Sequence, residues 1–324
     1  MIAPSAGWPK RPLSLRISVT DRCQLRCRYC MPAEGLALSD RRRILRYEEL
    51  ALLVQCLQQE WDVQKVRISG GEPLVRRDIE RFVATLASLR VPDISLTTNG
   101  QLLKEKAERL AAAGLHRVNI SLDSLNEDTF RWLSQGGLLT RTLAGIESAC
   151  DHGLQPVKLN MVILRGVNDA EVVDALRFAL ARKCEMRFLE LMPMGPATAM
   201  FDQWFTPWTE VRDRLSRAFK LRPLEPEPGS SARRYAVESS GGDRGIAGFI
   251  TPWSEPFCAG CNRVRITADG RLHGCLAQAG GADIREALRG GDVAAVARTV
   301  HAALAIKQMN SRFNHGRMMA ATGG

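Results

Sequence analysis

No stretch of the 324-residue chain is apolar for long enough to cross a bilayer. Residues Met1 to Pro12 lack the apolar centre of a secretory signal. A soluble, intracellular, cytoplasmic protein is therefore expected. Basic tracts interleaved with aromatics are also missing, although the formal net charge is +10. The lysines and arginines are dispersed, so most read as a solvated surface, and the excess favours an anionic partner without choosing it. No internal repeat stands out beyond a strand–helix unit. With 45% hydrophobic residues, the chain can bury a sizeable core as one large or two ordinary domains.

What is present is cysteine, nine residues of it. In such a chain that argues for metal or redox chemistry rather than a disulfide framework. Cys56, Cys150 and Cys184 sit singly among apolar helical positions and read as small core residues. The other six form two triads. Cys23, Cys27 and Cys30 are spaced C-x3-C-x2-C where the apolar strand Leu15-Arg16-Ile17-Ser18-Val19 runs out. Three thiolates from one loop can hold three corners of a cubane cluster and leave the fourth iron open. Structural zinc is the alternative, but it takes four ligands, commonly at paired C-x2-C spacings, and no fourth ligand lies nearby.

Alternation follows. Helical spacing over Tyr47 to Glu60, Asp78 to Leu89, Leu102 to Ala113, Thr142 to His152 and Asp169 to Lys183 (capped by Asn168) separates strands at Lys65–Ser69, Asp93–Thr97, Arg117–Leu122, Val157–Ile163 and Glu185–Glu190. Six strand–helix pairs imply parallel strands with right-handed crossovers. An open doubly wound sheet and a partial barrel both satisfy that pattern. Proline, glycine and tryptophan then cluster after Met194, and a second, smaller domain is expected over 195–324, with 1–194 as the first. Within it Pro223 to Ser231 reads as a loop, Arg233 to Glu238 and Ile246 to Ile250 as strands, and Asp292 to Ile306 as a helix.

Several strand ends carry chemistry-bearing residues. Ser69-Gly70-Gly71-Glu72-Pro73 follows the second strand, and paired glycines let a ligand approach the backbone. Thr97-Thr98-Asn99-Gly100 and Ser121-Leu122-Asp123-Ser124 put hydroxyls at strand ends, where ordinary turns also use them. The second triad, Cys258, Cys261 and Cys275, brackets a hairpin around Asp269-Gly270. A three-residue turn with Gly270 left-handed pairs Arg263 with Cys275 and puts Cys261, Arg263, Arg265 and Cys275 on one face; a two-residue turn would not. That face suits a cluster with two guanidiniums beside it. Zinc, with His273 as fourth ligand, is the alternative. Arg16, Arg67, Lys158 and Arg187 lie on strands that are otherwise apolar, where a charge must find either an internal salt bridge or a ligand.

The first triad, with Tyr29 before its third cysteine, and Gly70-Gly71-Glu72-Pro73 together resemble the radical S-adenosylmethionine (SAM) enzymes. Ser254-Glu255-Pro256-Phe257-Cys258-Ala259-Gly260-Cys261-Asn262-Arg263-Val264-Arg265 narrows this, because it resembles the GTP 3′,8-cyclases of molybdenum cofactor biosynthesis. So do Gln155 to Val162, Gly166-Val167-Asn168-Asp169, Arg187 to Met192 and the terminal Gly323-Gly324. Gln24 and Thr322 depart from that family's pattern, but neither is a ligand.

The resemblance implies an α/β fold, a partial (β/α)6 TIM-type barrel whose mouth the second domain closes. It implies two [4Fe-4S] clusters, one on each triad, and SAM chelated by the open iron of the first. Reduction of SAM would release a 5′-deoxyadenosyl radical that takes hydrogen from the ribose C3′ of GTP, after which C3′ bonds to guanine C8. The family pattern sets Tyr29, Gly71, Ser121 and Met192 beside SAM, and Thr98, Arg16, Arg67, Lys158, Arg263 and Arg265 beside GTP; we add Lys65 and Arg187. Arg263, Arg265, Gly323 and Gly324 fall in the catalytic machinery. A cellular electron donor such as flavodoxin, hand-off to cyclic pyranopterin monophosphate synthase, and a homodimer are implied as partners, with no nucleic acid and no membrane. The competing functions are a radical SAM enzyme acting on a peptide, with the second cluster as electron relay, and a metal-stabilised nucleic-acid-binding module.

Overall fold

The computed structural model describes residues 11–307 except 228, 259, 278 and 279. The alternation resolves as a twelve-stranded mixed sheet. Strands β1 (Pro12–Ser18), β2 (Asp62–Ser69), β3 (Asp93–Thr98), β4 (Arg117–Ser121), β5 (Lys158–Ile163) and β6 (Glu185–Glu190) lie side by side in sequence order and parallel. Between them run helices α1 (Tyr47–Glu60), α2 (Ile79–Ser88), α3 (Ala107–Ala112), α4 (Glu127–Ser134), α5 (Leu139–Asp151) and α6 (Val172–Ala181).

Each strand sorts its residues by period two. Leu15 and Ile17, Val66 and Ile68, Ile94 and Leu96, Val118 and Ile120, Leu159 and Met161, and Met186 and Phe188 are buried in one large apolar core that also takes in the helices. The alternate positions form the face that lines the cavity, and apart from Val162 and Leu189 they are largely polar: Arg16, Arg67, Ser95, Arg117, Asn119, Lys158, Asn160, Glu185 and Arg187. A closed eight-stranded barrel fills its inside with branched apolar side chains; this sheet holds charge there instead.

The rest of the chain adds α7 (Ala197–Trp204), α8 (Trp208–Ser216), β7 (Phe219–Pro223), β8 (Ala232–Ser239), β9 (Arg244–Ile250), β10 (Arg263–Ile266), β11 (Arg271–His273), β12 (Ala282–Asp283), α9 (Arg285–Arg289) and α10 (Val293–Lys307). Its strands extend the same sheet at both edges. β9 pairs parallel with β6, and β10 pairs parallel with β1. Antiparallel β8–β7 and β11–β12 finish the two ends, and β7 and β12 do not pair with each other. The sheet therefore stays open, as a partial barrel must.

Several local expectations change. The helix expected from Leu102 begins at Ala107, after turns through 101–106. Asn168 does not cap a helix. It is fully buried, accepts from Leu164 N at 2.8 Å, and donates to the carbonyls of Asp123 (2.7 Å) and Val162 (2.8 Å). The cap expectation fails because three backbone groups compete for that amide. Cys56 and Cys184 are core residues; Cys150 is half-buried, its Sγ 3.8 Å from that of Cys184. No helix among the described residues is long and apolar enough to cross a membrane.

Candidate active site

The first cysteine loop leaves β1 and is stitched to the loop after β2. Gly71 N donates to Thr20 O (2.8 Å) and Glu72 N to Arg22 O (2.7 Å). A Cβ on Gly70 would lie 2.8 Å from Thr20 O, and one on Gly71 only 2.4 Å from Arg22 O. The sequence reading attributed the glycine pair to ligand approach. In the structure, the backbone that comes close is the cysteine loop itself.

A second support comes from α4, which the sequence reading missed. Arg26 N and Arg28 N each donate at 3.0 Å, to Ser134 O and Leu133 O. The Arg28 guanidinium lies 4.2 Å from the ring centre of Trp132. Asn126, whose side chain accepts from Thr129 N at 2.9 Å, followed by Glu127 and Asp128, is the N-terminal signal that would have revealed this helix.

Carboxylates organise the rim. Glu72 is buried; its Oε1 accepts from Thr98 Oγ1 (2.8 Å) and Leu74 N (3.0 Å), and its Oε2 from Asn99 N (2.8 Å). Burial nevertheless pushes its pKa up to about 7. Asp123 accepts from Tyr29 Oη at 2.7 Å and from Val162 N at 2.9 Å, and burial raises it to about 6. Buried Glu190 accepts from Trp208 N (3.1 Å), Trp253 N (3.2 Å) and Ser254 N (3.0 Å), and so pins the segment leading to Cys258. Neither Asp123 nor Glu190 was singled out from sequence, because each acts on backbone distant in the chain.

The hairpin register agrees with the three-residue turn. Arg265 pairs with His273 and Ile266 with Leu272, Gly270 has φ +85°, and continuing the register two residues sets Arg263 opposite Cys275. Arg263 Nε lies 3.2 Å from Cys261 Sγ, with its guanidinium 4.7 Å from the ring centre of Phe257. His273 turns instead to the Gly280 carbonyl and does not line the cavity.

All six triad cysteines line one cavity of about 320 Å3. Its wall also carries Arg16, Arg67, Arg187, Arg263 and Arg265, and at its rim Tyr29, Gly71, Thr98, Ser121 and Met192. Lys65 and Lys158 are not in that lining. Both are held in ion pairs at 3.3 Å, buried Lys158 with Glu185 and Lys65, whose side chain is 41% exposed, with Asp93. Asp93 also holds Arg117 (2.5 Å) and Glu185 holds Arg187 (2.7 Å). Gly323 and Gly324 lie outside the described residues.

The donor set fits iron–sulfur clusters. Burial holds the Cys23 thiol up to about 11 and Cys27 above its ordinary value, and a cationic metal reverses that shift. Leu25 N and Asn99 Nδ2 face Cys23 Sγ at 3.4 and 3.8 Å, as donors to a bound thiolate would. Among the described residues no three Cys, His, Asp or Glu side chains close round a single ion. Burial also lowers Arg67 to about 9 and Arg16 below its ordinary value, with neighbouring arginines adding to both. An open parallel barrel with two thiol triads facing across a cationic cavity defines a cluster-bearing enzyme for a small anionic substrate.

Comparison with known proteins agrees. Residues 17–179 match the Radical SAM superfamily model and residues 184–313 the Molybdenum Cofactor Synthesis C model. The GTP 3′,8-cyclase of Moorella thermoacetica is 44% identical over 96% of this chain and 97% of its own length. That of Pelotomaculum thermopropionicum is 42% identical over 96% and 97%. The chain belongs to the GTP 3′,8-cyclase family of radical SAM enzymes. Among solved structures, Streptococcus suis SuiB bound to S-adenosylmethionine superimposes with a TM-score of 0.60 at 16% identity. It covers 86% of this chain and 65% of its own, a likeness of fold.

Proposed function

We propose that this chain cyclises GTP to (8S)-3′,8-cyclo-7,8-dihydroguanosine 5′-triphosphate, the first step of molybdenum cofactor biosynthesis. One observation carries the reading: both triads open into a single cavity that five arginines also line. The clusters, with SAM on the first, supply one-electron chemistry at one end and a Lewis-acid seat for guanine at the other. The chain's own residues do the positioning. Glu72 and Asn99 fix the wall beside Cys23, and the Tyr29–Asp123 bond locks the ring that follows Arg28. Ser121, Gly71 and Met192 border the SAM side, and Thr98, whose hydroxyl is committed to Glu72, shapes the wall rather than offering a donor. Arg16, Arg67, Arg187, Arg263 and Arg265 hold the triphosphate, with Lys158 and Lys65 beside them. Phosphate recognition by planar guanidiniums is favourable in such a desolvated site.

We assign 1–194 to the barrel and 195–324 to the second domain, and place Gly323-Gly324 at the active site. A cytoplasmic homodimer, reduced by a carrier such as flavodoxin and handing its product to cyclic pyranopterin monophosphate synthase, completes the reading. The test supplies reconstituted enzyme with SAM, reductant and GTP deuterated at C3′. Deuterium in the 5′-deoxyadenosine is the expected result. Unlabelled 5′-deoxyadenosine formed without GTP would remove GTP as substrate.

A further inference from the structure

From the cavity wall at Arg67 and Asn160 outward, the same sheet face holds buried polar atoms with no hydrogen-bond partner among the described residues: Arg67 Nε, Asp93 Oδ1, Ser95 Oγ, Arg117 Nη1, Asn119 Oδ1 and Asn160 Oδ1. Buried polar groups are nearly always paired; of this set on four neighbouring strands Arg67 Nε, Arg117 Nη1 and the Ser95 hydroxyl can donate to an anion, while the three carboxylate and amide oxygens call for water. The charge around the donors favours the anion. Arg117 is only 8% exposed, and its positive charge is felt by Lys65, Arg67, Lys158 and Arg187 together. Asp93 and Glu185 are the carboxylates paired to this group. Five cations around two carboxylates leave room for an anion.

Arg117 is placed to meet the far end of that anion. In the sheet register Arg67 neighbours Ser95, and Ser95 neighbours Arg117. Arg67 lines the cavity and Arg117 does not, so a chain of phosphates entering past Arg16 and Arg67 reaches Arg117 last. One terminal nitrogen is already anchored, Nη2 on Asp93 at 2.5 Å, which fixes the fork and leaves Nη1 presented. We propose that Arg117 reads the third phosphate of the substrate, making the site select a nucleoside triphosphate over a diphosphate. This rests on the GTP reading above and assigns a residue to the discrimination that reading requires.

The test measures binding of GTP, GDP and GMP to the reconstituted holoenzyme by equilibrium dialysis, for wild type, Arg117→Met and Arg117→Lys. Wild type should prefer GTP to GDP by about tenfold or more, the strength of a charge-assisted hydrogen bond. Arg117→Met should bring GTP down to the affinity of GDP and leave GMP unchanged. Arg117→Lys, which keeps the charge and an ion pair for Asp93, should fall between and serves if the methionine variant does not fold. Inorganic triphosphate should compete with GTP in wild type and about tenfold less well in Arg117→Met. An unchanged GTP-to-GDP ratio overturns the proposal, as does an equal loss for all three nucleotides, which would mark a structural role. Wild type indifferent to phosphate number overturns it too, by removing the triphosphate from the barrel.

Discussion

Substituting Gly71 by Ala tests whether the glycine pair exists for the cysteine loop. The added Cβ would sit 2.4 Å from Arg22 O and 2.6 Å from its carbonyl carbon. Ordinary contact needs about 1 Å more, and both obstructing atoms are backbone, so the loop from Thr20 to Cys23 must shift. That displacement breaks the bonds from Gly71 N and Glu72 N, 2.8 and 2.7 Å long, at about 1 kcal/mol each, on top of about 1–3 kcal/mol for overpacking. A loss of roughly 3–5 kcal/mol corresponds to a fall of roughly 4–7 °C in the apoprotein midpoint of a chain this long. The functional readout is iron bound at the first site, measured with the second triad replaced by alanine, together with SAM affinity. Both should fall. Gly153→Ala is the control, with φ +71° and nothing within 4 Å of the new Cβ, so it strains the backbone between α5 and β5, outside the residues that line the cavity. Wild-type iron content and SAM affinity in Gly71→Ala would refute the argument.

Three further outcomes are expected. Glu185→Gln leaves Lys158 and Arg187, 11% and 7% exposed, without their shared carboxylate; it should cost about 3–5 kcal/mol in unfolding titrations, part of which GTP restores, and an unchanged midpoint counts against the buried network. Glu72 and Asp123 are raised to about 7 and about 6, so the folded state binds those protons more tightly than the unfolded one. Their contribution is complete below the unfolded values and is lost as pH rises through 6 to 7, on the order of 3 kcal/mol each. Lys158, lowered to about 7 mainly by burial, acts oppositely above that pH. Apoprotein stability should therefore pass through a minimum near neutrality, and a monotonic rise from pH 5 would contradict the sign. Arg263→Ala should weaken GTP binding by about tenfold or more with both clusters retained by iron count, and undiminished affinity removes Arg263 from the triphosphate.

How far the sequence led depends on the range of the forces involved. Helix α1 and the positions of the first six strands follow from local periodicity, whereas their order comes only with the family resemblance. The Gly270 turn follows from the demand that Cys261 and Cys275 share a face. By contrast α4, α7, α8 and β7 lie in short stretches with mixed patterns, and the placement of β9 and β10 at opposite edges is a tertiary choice no window contains. Within the site, the cysteines were legible because ligand spacing is local. The absence of Lys65 and Lys158 from the cavity lining was not, since it depends on Asp93 and Glu185 arriving from neighbouring strands.

The same contrast explains why Arg117 escaped notice while Arg16 and Arg67 did not. On β4, Arg117 is the first residue of the strand, where a basic side chain ordinarily marks a solvated end. Only the register, which sets it beside Ser95 and within reach of Asp93, turns an apparent surface charge into a buried one. The charge at the barrel floor is thus encoded in pairs across strands rather than in any one segment. A carboxylate there steadies two cations without neutralising the group, which keeps the fold stable before the ligand arrives and still leaves a net positive site to receive it. Removing either carboxylate should then harm stability more than it harms attraction for the anion, whereas removing Arg117 should do the reverse.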